Sequence, residues 1–344
     1  FARAYGDKLV AAPEMVRFEA QTALPTAIQP ARSGFPMTFG EAALTEWVKD
    51  PSSVRDRLLE KVGEDDQLLS IVQRFLEVLA GRLADVLTPG ALSIADGAAT
   101  TLGIPADWDQ GRVERLMHVA TQAGFPVHRL APRPLSALTC HLQQGTLKQS
   151  PETERTLVID WGGSSLALSF IEHGPTLAKP QVFEHIEHPL GGDWFDSLLH
   201  KHIIAQITSE MSEIDRRELI LFTRKFKEQM SRVFAEGKHV YTQYCVIPPG
   251  SAPLRLRMEQ TEFEGLISEA RSRFTQFLQE AVQAVGLKPE HLDHLILAGG
   301  GAHWYFARQD IRSTLGQVPL IGPHPEEVFA RGLAIYRLQF SNES

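Results

Sequence analysis

Thr156-Leu157-Val158-Ile159-Asp160-Trp161-Gly162-Gly163-Ser164-Ser165-Leu166-Ala167-Leu168-Ser169-Phe170-Ile171 joins two short apolar runs through a turn of small residues, with an acid at the turn's entry. Apolar runs of this length around a glycine turn read as a hairpin buried in a sheet. Glycine lacks a Cβ, so amides in such a turn can approach an anion closely. Asp160, ending the first strand, suits a metal held through water, the mode magnesium favours. The same residues also suit a plain tight hairpin with an exposed Asp, and alone they leave both readings open.

Working outward, Gln181–Glu187 reads as a third strand, followed by helices over Asp193–Ile207 and Glu213–Phe234. Strands over His239–Ile247 and Leu254–Met258 flank a Pro-Pro-Gly turn. A long helix is predicted over Thr261–Val285, where Phe263, Leu266, Ile267, Ala270, Phe274, Phe277, Leu278, Ala281, Val282 and Val285 form one apolar stripe. Strand Leu295–Ala298 then runs into Gly299–Gly301 and a helix expected from Ala302; Val318–Ile321 and Glu326–Tyr336 close the chain. Upstream, β-like runs at Lys8–Ala12 and Met15–Glu19 precede a helical region from Gly40 to Leu87, in which Leu68, Leu69, Val72, Phe75, Leu76, Leu79, Leu83 and Val86 recur at spacings of three and four on one face. Strand Leu102–Ile104, helix Gln110–Ala123 closed by Gly124, strand Val127–Leu130 and helix Pro134–Gln143 follow. The polar stretch Gln144–Glu154 marks a boundary, giving a first lobe over 1–150 and a second over 151–344. A meander followed by strands alternating with helices implies an α/β class with mixed sheets flanked by helices.

Two more glycine clusters stand out. Gly191-Gly192-Asp193-Trp194-Phe195-Asp196 opens a helix with Asp193 near its cap, a start that attracts negative groups but also suits simple capping. Ala298-Gly299-Gly300-Gly301-Ala302 lies between a buried strand and a helix, the setting in which phosphate or ribose rests on backbone amides.

Bulk properties narrow the function classes. The 344 residues exceed one ordinary core, with 43% hydrophobic and 22% charged residues and a net charge of −8. The acidic balance and lack of a basic run argue against nucleic acid as partner. No apolar stretch reaches the roughly 20 residues that span a bilayer. Phe1 to Val10 do not read as a signal peptide, and only Cys140 and Cys245 occur, so a cytoplasmic location is expected. His185 and Glu187 share a strand face, but two ligands do not make a metal site.

The order and spacing of the glycine clusters resemble the nucleotide-binding domain of DnaK-like, seventy-kilodalton heat-shock chaperones, of the actin-like ATPase superfamily. The resemblance covers about Ala27 to Tyr336. Gly103-Ile104-Pro105-Ala106 and the helix after it, the hairpin Leu157–Ser165, the turn Gly191–Asp196, the loop Leu295–Ala302 and the segment Pro325-Glu326-Glu327-Val328-Phe329-Ala330-Arg331-Gly332 carry it. It implies a two-lobed actin-like fold binding ATP or ADP with magnesium in a cleft. Asp160 and Ser165 would serve catalysis, with Asp160 holding the metal through water. Gly162, Gly163, Ser164 and Ser165 would cradle phosphates, Gly191, Gly192 and Asp193 would lie near the hinge, and Gly299, Gly300, Gly301 and Ala302 would contact the nucleoside. The glycine turns would face each other across the interlobe gap. Protein partners or co-chaperones are implied as well.

The sequence also departs from the family pattern. An acid expected before Pro134 is Arg133, the hairpin's third glycine is Ser164, its threonine is Ser165, and an acid expected beyond it is Ala167. Where an adenine clasp is expected, the best register places Lys227, Met230 and Phe234. The family's first phosphate hairpin would precede Phe1; the favoured reading is a fragment, the alternative a protein in which another segment fills that strand's place. The expectation is a DnaK-like ATP/ADP-binding domain with weak or lost hydrolysis. The alternatives are a pseudo-ATPase scaffold and, third, a small-metabolite kinase of the same superfamily.

Overall fold

The computed structural model describes residues 2–3, 13–16, 26–31, 37–56, 58, 62, 66–87, 99–148, 150–177, 179–208, 210–247 and 252–339. The expected run at Lys8–Ala12, most of Met15–Glu19 and the Pro-Pro-Gly turn lie outside these residues. The chain divides into two compact units, residues 1–144 with 329–344, and residues 145–328. The closing helix, assigned from sequence to the second lobe, therefore groups with the first unit.

The first unit contains the two-residue strands β1 (Ala2–Arg3), β2 (Glu14–Met15), β3 (Ile28–Gln29) and β4 (Thr38–Phe39), then α1 (Glu41–Lys49) and α2 (Asp66–Val86). β5 (Thr100–Ile104), α3 (Gln110–Gln122), β6 (Val127–Pro132) and α4 (Arg133–Gln143) follow. β5 and β6 pair in parallel through the crossover helix α3. The stripe read on α2 is its buried face: Val72, Phe75, Leu76, Leu79 and Leu83 pack in one core with Leu116, Val119 and Ala120 of α3. Val86, expected on that stripe, is exposed at the helix end. Asp109 caps α3 by accepting from the Arg112 amide, and Gly124 follows its end with φ +94°, a conformation that costs glycine little.

The second unit is built on a four-stranded mixed sheet. Its strands are β7 (Glu154–Trp161), β8 (Leu166–His173), β9 (Gln181–His188) and, further along the chain, β12 (His294–Ala298), in the order β12-β7-β8-β9. β12 runs parallel to β7, while β7–β8 and β8–β9 are antiparallel. β7 and β8 carry continuous buried runs because both their faces are covered. The covering helices are α5 (Gly192–Ile204), α6 (Glu213–Ala235), α7 (Gln260–Leu266), α8 (Ser268–Ala284) and α9 (Ala307–Leu315). A separate ribbon, β10 (Val240–Cys245) with β11 (Leu254–Glu259), extends between α6 and α7. α10 (Val328–Gln339) ends the described chain.

Two expected helices are reshaped. The segment Thr261–Val285 breaks at Ile267, which takes φ −99° and ψ 6° between α7 and α8. Gly265 weakens the ladder there, and the break lets Phe263, Ile267, Ala270 and Phe274 all stay fully buried. After Gly299 the chain makes a 3-10 turn over Gly300–His303, and α9 begins only at Ala307. Val318–Ile321 contributes a single parallel bridge, Leu320 to Ile296, rather than a strand.

Candidate functional site

Strand register places the three glycine clusters together. The β12–β7 pairing ends with Ala298 beside Asp160, so the turns after both parallel strands leave the sheet at one end. β9 finishes there too, with His188 opposite Leu166, and leads through Leu190 into Gly191. Ligands of open α/β sheets bind outside the carboxyl ends of parallel strands. All three turns belong to the second unit, and the second and third each pack against the hairpin, which corrects the expectation that they face one another across a gap between lobes.

The contacts require glycine. A Cβ on Gly191 would lie 2.3 Å from the Ser164 carbonyl carbon and 2.4 Å from Gly163 O and Ser165 N. A Cβ on Gly299 would lie 2.5 Å from Trp161 O and 2.9 Å from Asp160 Oδ1, and this residue has φ +83°. On Gly301 it would meet the Trp161 ring at 2.3 Å. Gly163 and Gly300, in contrast, are exposed and face open space. The apex of the hairpin and that of the third turn are therefore the accessible parts.

Several amides in the cluster are already engaged. Gly162 N–H donates to Ser165 O at 2.9 Å and closes the hairpin. Gly192 N–H donates to Gly162 O at 3.0 Å, and Asp193 N–H to Gly163 O at 2.7 Å. The start of α5 is thus docked on hairpin carbonyls, and those two amides hold the turns together rather than reach for an anion. Gly299 N–H donates to Pro325 O at 3.1 Å, and Ala302 N–H to Gly299 O at 3.2 Å.

Asp193 does not cap the helix: Gly191 occupies that position, and the Asp193 carboxylate pairs with Arg224 of α6 at 3.0 Å. Arg224 also reaches Asp196 at 3.5 Å, and Lys227 Nζ lies 2.8 Å from Asp196 Oδ1. Lys227 Nζ donates to Gly192 O as well, at 3.3 Å. Burial opposes the Arg224 charge, but the Asp196 and Asp193 carboxylates outweigh it and raise its pKa. Met230 and Phe234, on the same helix, are buried in the core. Ser231 donates to His303 O at 3.1 Å and ties α6 to the third turn.

Trp161, fully buried, anchors the hairpin. Its ring stacks on Phe274 with centroids 4.1 Å apart, and its Nε1–H donates to Leu190 O at 2.9 Å. Trp304 packs among Phe195, Phe263 and Phe306, a core position rather than a ligand platform. Ala167 pairs across from Asp160 in the β7–β8 ladder and is buried. Arg133 opens α4, its guanidinium over the Phe329 ring at 5.9 Å.

Residues 98–338 match the family model described as Hsp70 protein. The chain belongs to the Hsp70 family. It is an Hsp70-like nucleotide-binding domain with the mixed α/β architecture of the actin-like ATPases, and the ATP-binding, chaperone-type character of the family comes with that membership. Among the described residues no helix is long and apolar enough to cross a membrane.

Other residues weighed from sequence take ordinary places in this Hsp70-like chain. His185 Nδ1 bonds Ser169 Oγ at 2.7 Å. Cys140 and Cys245 are free and buried, and burial pushes the Cys140 thiol up to about 11, so it is not a nucleophile at neutral pH. Sequence reasoning missed the Arg224–Asp193 and Lys227–Asp196 pairs. It also missed His303, whose Nε2 lies 2.8 Å from Glu326 Oε2; that hydrogen bond holds the Glu326 carboxyl below the usual range. His324 and Glu326, two apart before a helix, were the sequence signal for the latter group.

Proposed function

We propose that this Hsp70-family chain holds ATP or ADP with magnesium at the exposed side of the three packed turns, and that hydrolysis is weak or lost. The observation that carries this reading is the convergence of Gly191, Gly299 and Gly301 on the hairpin, with the Asp160 carboxylate at their junction and open space at Gly163 and Gly300. Gly162 to Ser165 would meet phosphate oxygens, and Gly299 to Ala302 the nucleoside. Gly191 to Asp193 would act by fixing the hairpin. Asp160 fits magnesium as a single carboxylate at the end of β7: such an ion keeps several waters and takes one or two protein carboxylates beside substrate phosphates. Bound there, the ion would neutralise phosphate charge.

Weak turnover follows from two departures from the family pattern. Ala167 stands directly across from Asp160, where a carboxylate able to orient water would be adjacent. Arg133 brings a cation where the family resemblance expects an acid. Losing a residue that orients the attacking water costs about 10²–10⁴-fold in rate. A scaffold that works through protein partners, co-chaperones among them, is the second reading. It is favoured by the α6 register, where Lys227 is paired with Asp196 and Met230 and Phe234 are turned into the core.

Calorimetry with ATP, with and without magnesium, tests the proposal on the wild type and on Asp160→Asn. We expect magnesium-enhanced binding to the wild type and about a tenfold weaker interaction in the variant, the loss of one charge-assisted contact. Phosphate release should stay near background, and Arg133→Glu should raise it if that position limits turnover. Absence of both binding heat and thermal shift in the wild type would leave the scaffold reading standing.

A further inference from the structure

Beyond the nucleotide site, we propose that His303, His324, Glu326 and Glu327 form a binding site for a divalent transition metal of the zinc class. The fold brings these residues together from two segments. His303 ends the 3-10 turn Gly300–His303, and the bond from Gly299 N–H to Pro325 O, 3.1 Å, lays that turn against the loop before α10. Within the loop, Glu327 N–H donates to His324 O at 2.9 Å, folding His324 back over the two glutamates.

The ligand atoms are already close. His303 Nε2 lies 2.8 Å from Glu326 Oε2, and His324 Nδ1 lies 3.9 Å from Glu326 Oε1. One ligand atom each from His324, Glu326 and Glu327 falls within a 4.8 Å cluster. Tetrahedral zinc with nitrogen and oxygen bonds sets its ligands about 3.4 Å apart, and the spacings of His303 and His324 from Glu326 bracket that value. Two imidazoles with two carboxylates favour zinc, cobalt or nickel over magnesium and calcium, which take oxygen ligands.

An exposed His–Glu ion pair is the simpler arrangement, and such pairs contribute little stability. It accounts for His303 and Glu326 alone. It leaves out His324 and the buried Glu327, whose ligand atoms fall in one 4.8 Å cluster with Glu326. His303, His324 and Glu326 are exposed, which gives an ion a direct path in, while the buried Glu327 supplies the floor. An ion here would clamp the third glycine turn to the loop preceding α10. This site adjoins the third turn, assigned above to the nucleoside, and its test uses no nucleotide.

The full chain, stripped with chelator, is titrated with Co²⁺ and followed by visible absorption, then back-titrated with Zn²⁺. We expect one cobalt per chain with the intense bands of a four-coordinate site, displaced by one equivalent of zinc, and a zinc-dependent rise in melting temperature. His324→Gln and His303→Gln should each weaken zinc at least tenfold and abolish the rise. Because His324 is exposed, His324→Asn supplies the same readout should the His303 variant fail to fold. Octahedral-type spectra only, or one-to-one binding unchanged by either His324 variant, would overturn the proposal.

Discussion

Both units contain glycines whose missing Cβ lets segments touch, but the two sets do different work. In the first unit a Cβ on Gly332 of α10 would lie 1.8 Å from Ser136 O of α4, and one on Gly103 of β5 would meet Leu333 at 2.7 Å. These contacts bring a C-terminal helix onto a helix and a strand nearly two hundred residues or more earlier, where the atoms met are the Ser136 backbone, the Leu333 side chain and the stem of Arg133. In the second unit Gly191, Gly299 and Gly301 bring turns onto a turn, beside a carboxylate and exposed peptide groups. Close approach alone therefore says nothing about ligands. Polar surroundings and an open side distinguish a cradle from a packing joint.

The largest effects should come from the closed positions. Gly332→Ala should destabilise the first unit by about 3 kcal/mol, because backbone rather than a flexible side chain must yield. Gly191→Ala should cost the second unit about 2–3 kcal/mol for the same reason. Differential hydrogen exchange would assign each loss to its own unit; a loss shared equally would break the comparison.

Acid should sharpen it from another side. Burial lowers the pKa of His141, on α4 near the Gly332 contact, to about 4. A histidine kept neutral in the fold binds fewer protons than the unfolded chain between pH 6.5 and 4. Its stabilising effect is complete above pH 6.5 and declines as pH falls through that window, by roughly 2–3 kcal/mol at its lower end. Chemical denaturation across this range should show the slope, and His141→Gln should flatten it.

The smallest stability effects belong to the open positions. Gly163→Ala and Gly300→Ala should change stability by less than about 0.5 kcal/mol, since a Cβ meets nothing there. If the exposed side carries nucleotide, they should still weaken ATP about tenfold in calorimetry. Unchanged affinity in both would make the second unit's turns a packing joint like the first unit's.

Much of this was legible along the chain. The hairpin, the α2 stripe, the closing glycine of α3, and the strand leading into Gly299 all rest on local periodicity and turn chemistry. What was hidden is non-local. Nothing near Gly332 signals that Ser136 will lie against it, so α10 reads as part of the preceding lobe. Asp193 looks like a cap until Arg224, thirty-one residues on, claims its carboxylate. The break at Ile267 is decided by core packing that keeps both Phe263 and Ile267 buried, against a pattern that favours one continuous helix. The amides of Gly192 and Asp193 look available in sequence; only the register of β7, β9 and β12 shows them committed to the hairpin.

Trp161 gives the cluster a mechanical property. Its indole abuts Gly301, stacks on Phe274 and donates to the carbonyl just before Gly191, while its own backbone continues into Gly162. One rigid plate thus links all three loops to the helix beneath them. Moving any one of the three loops would therefore disturb packing that the other two share through this ring.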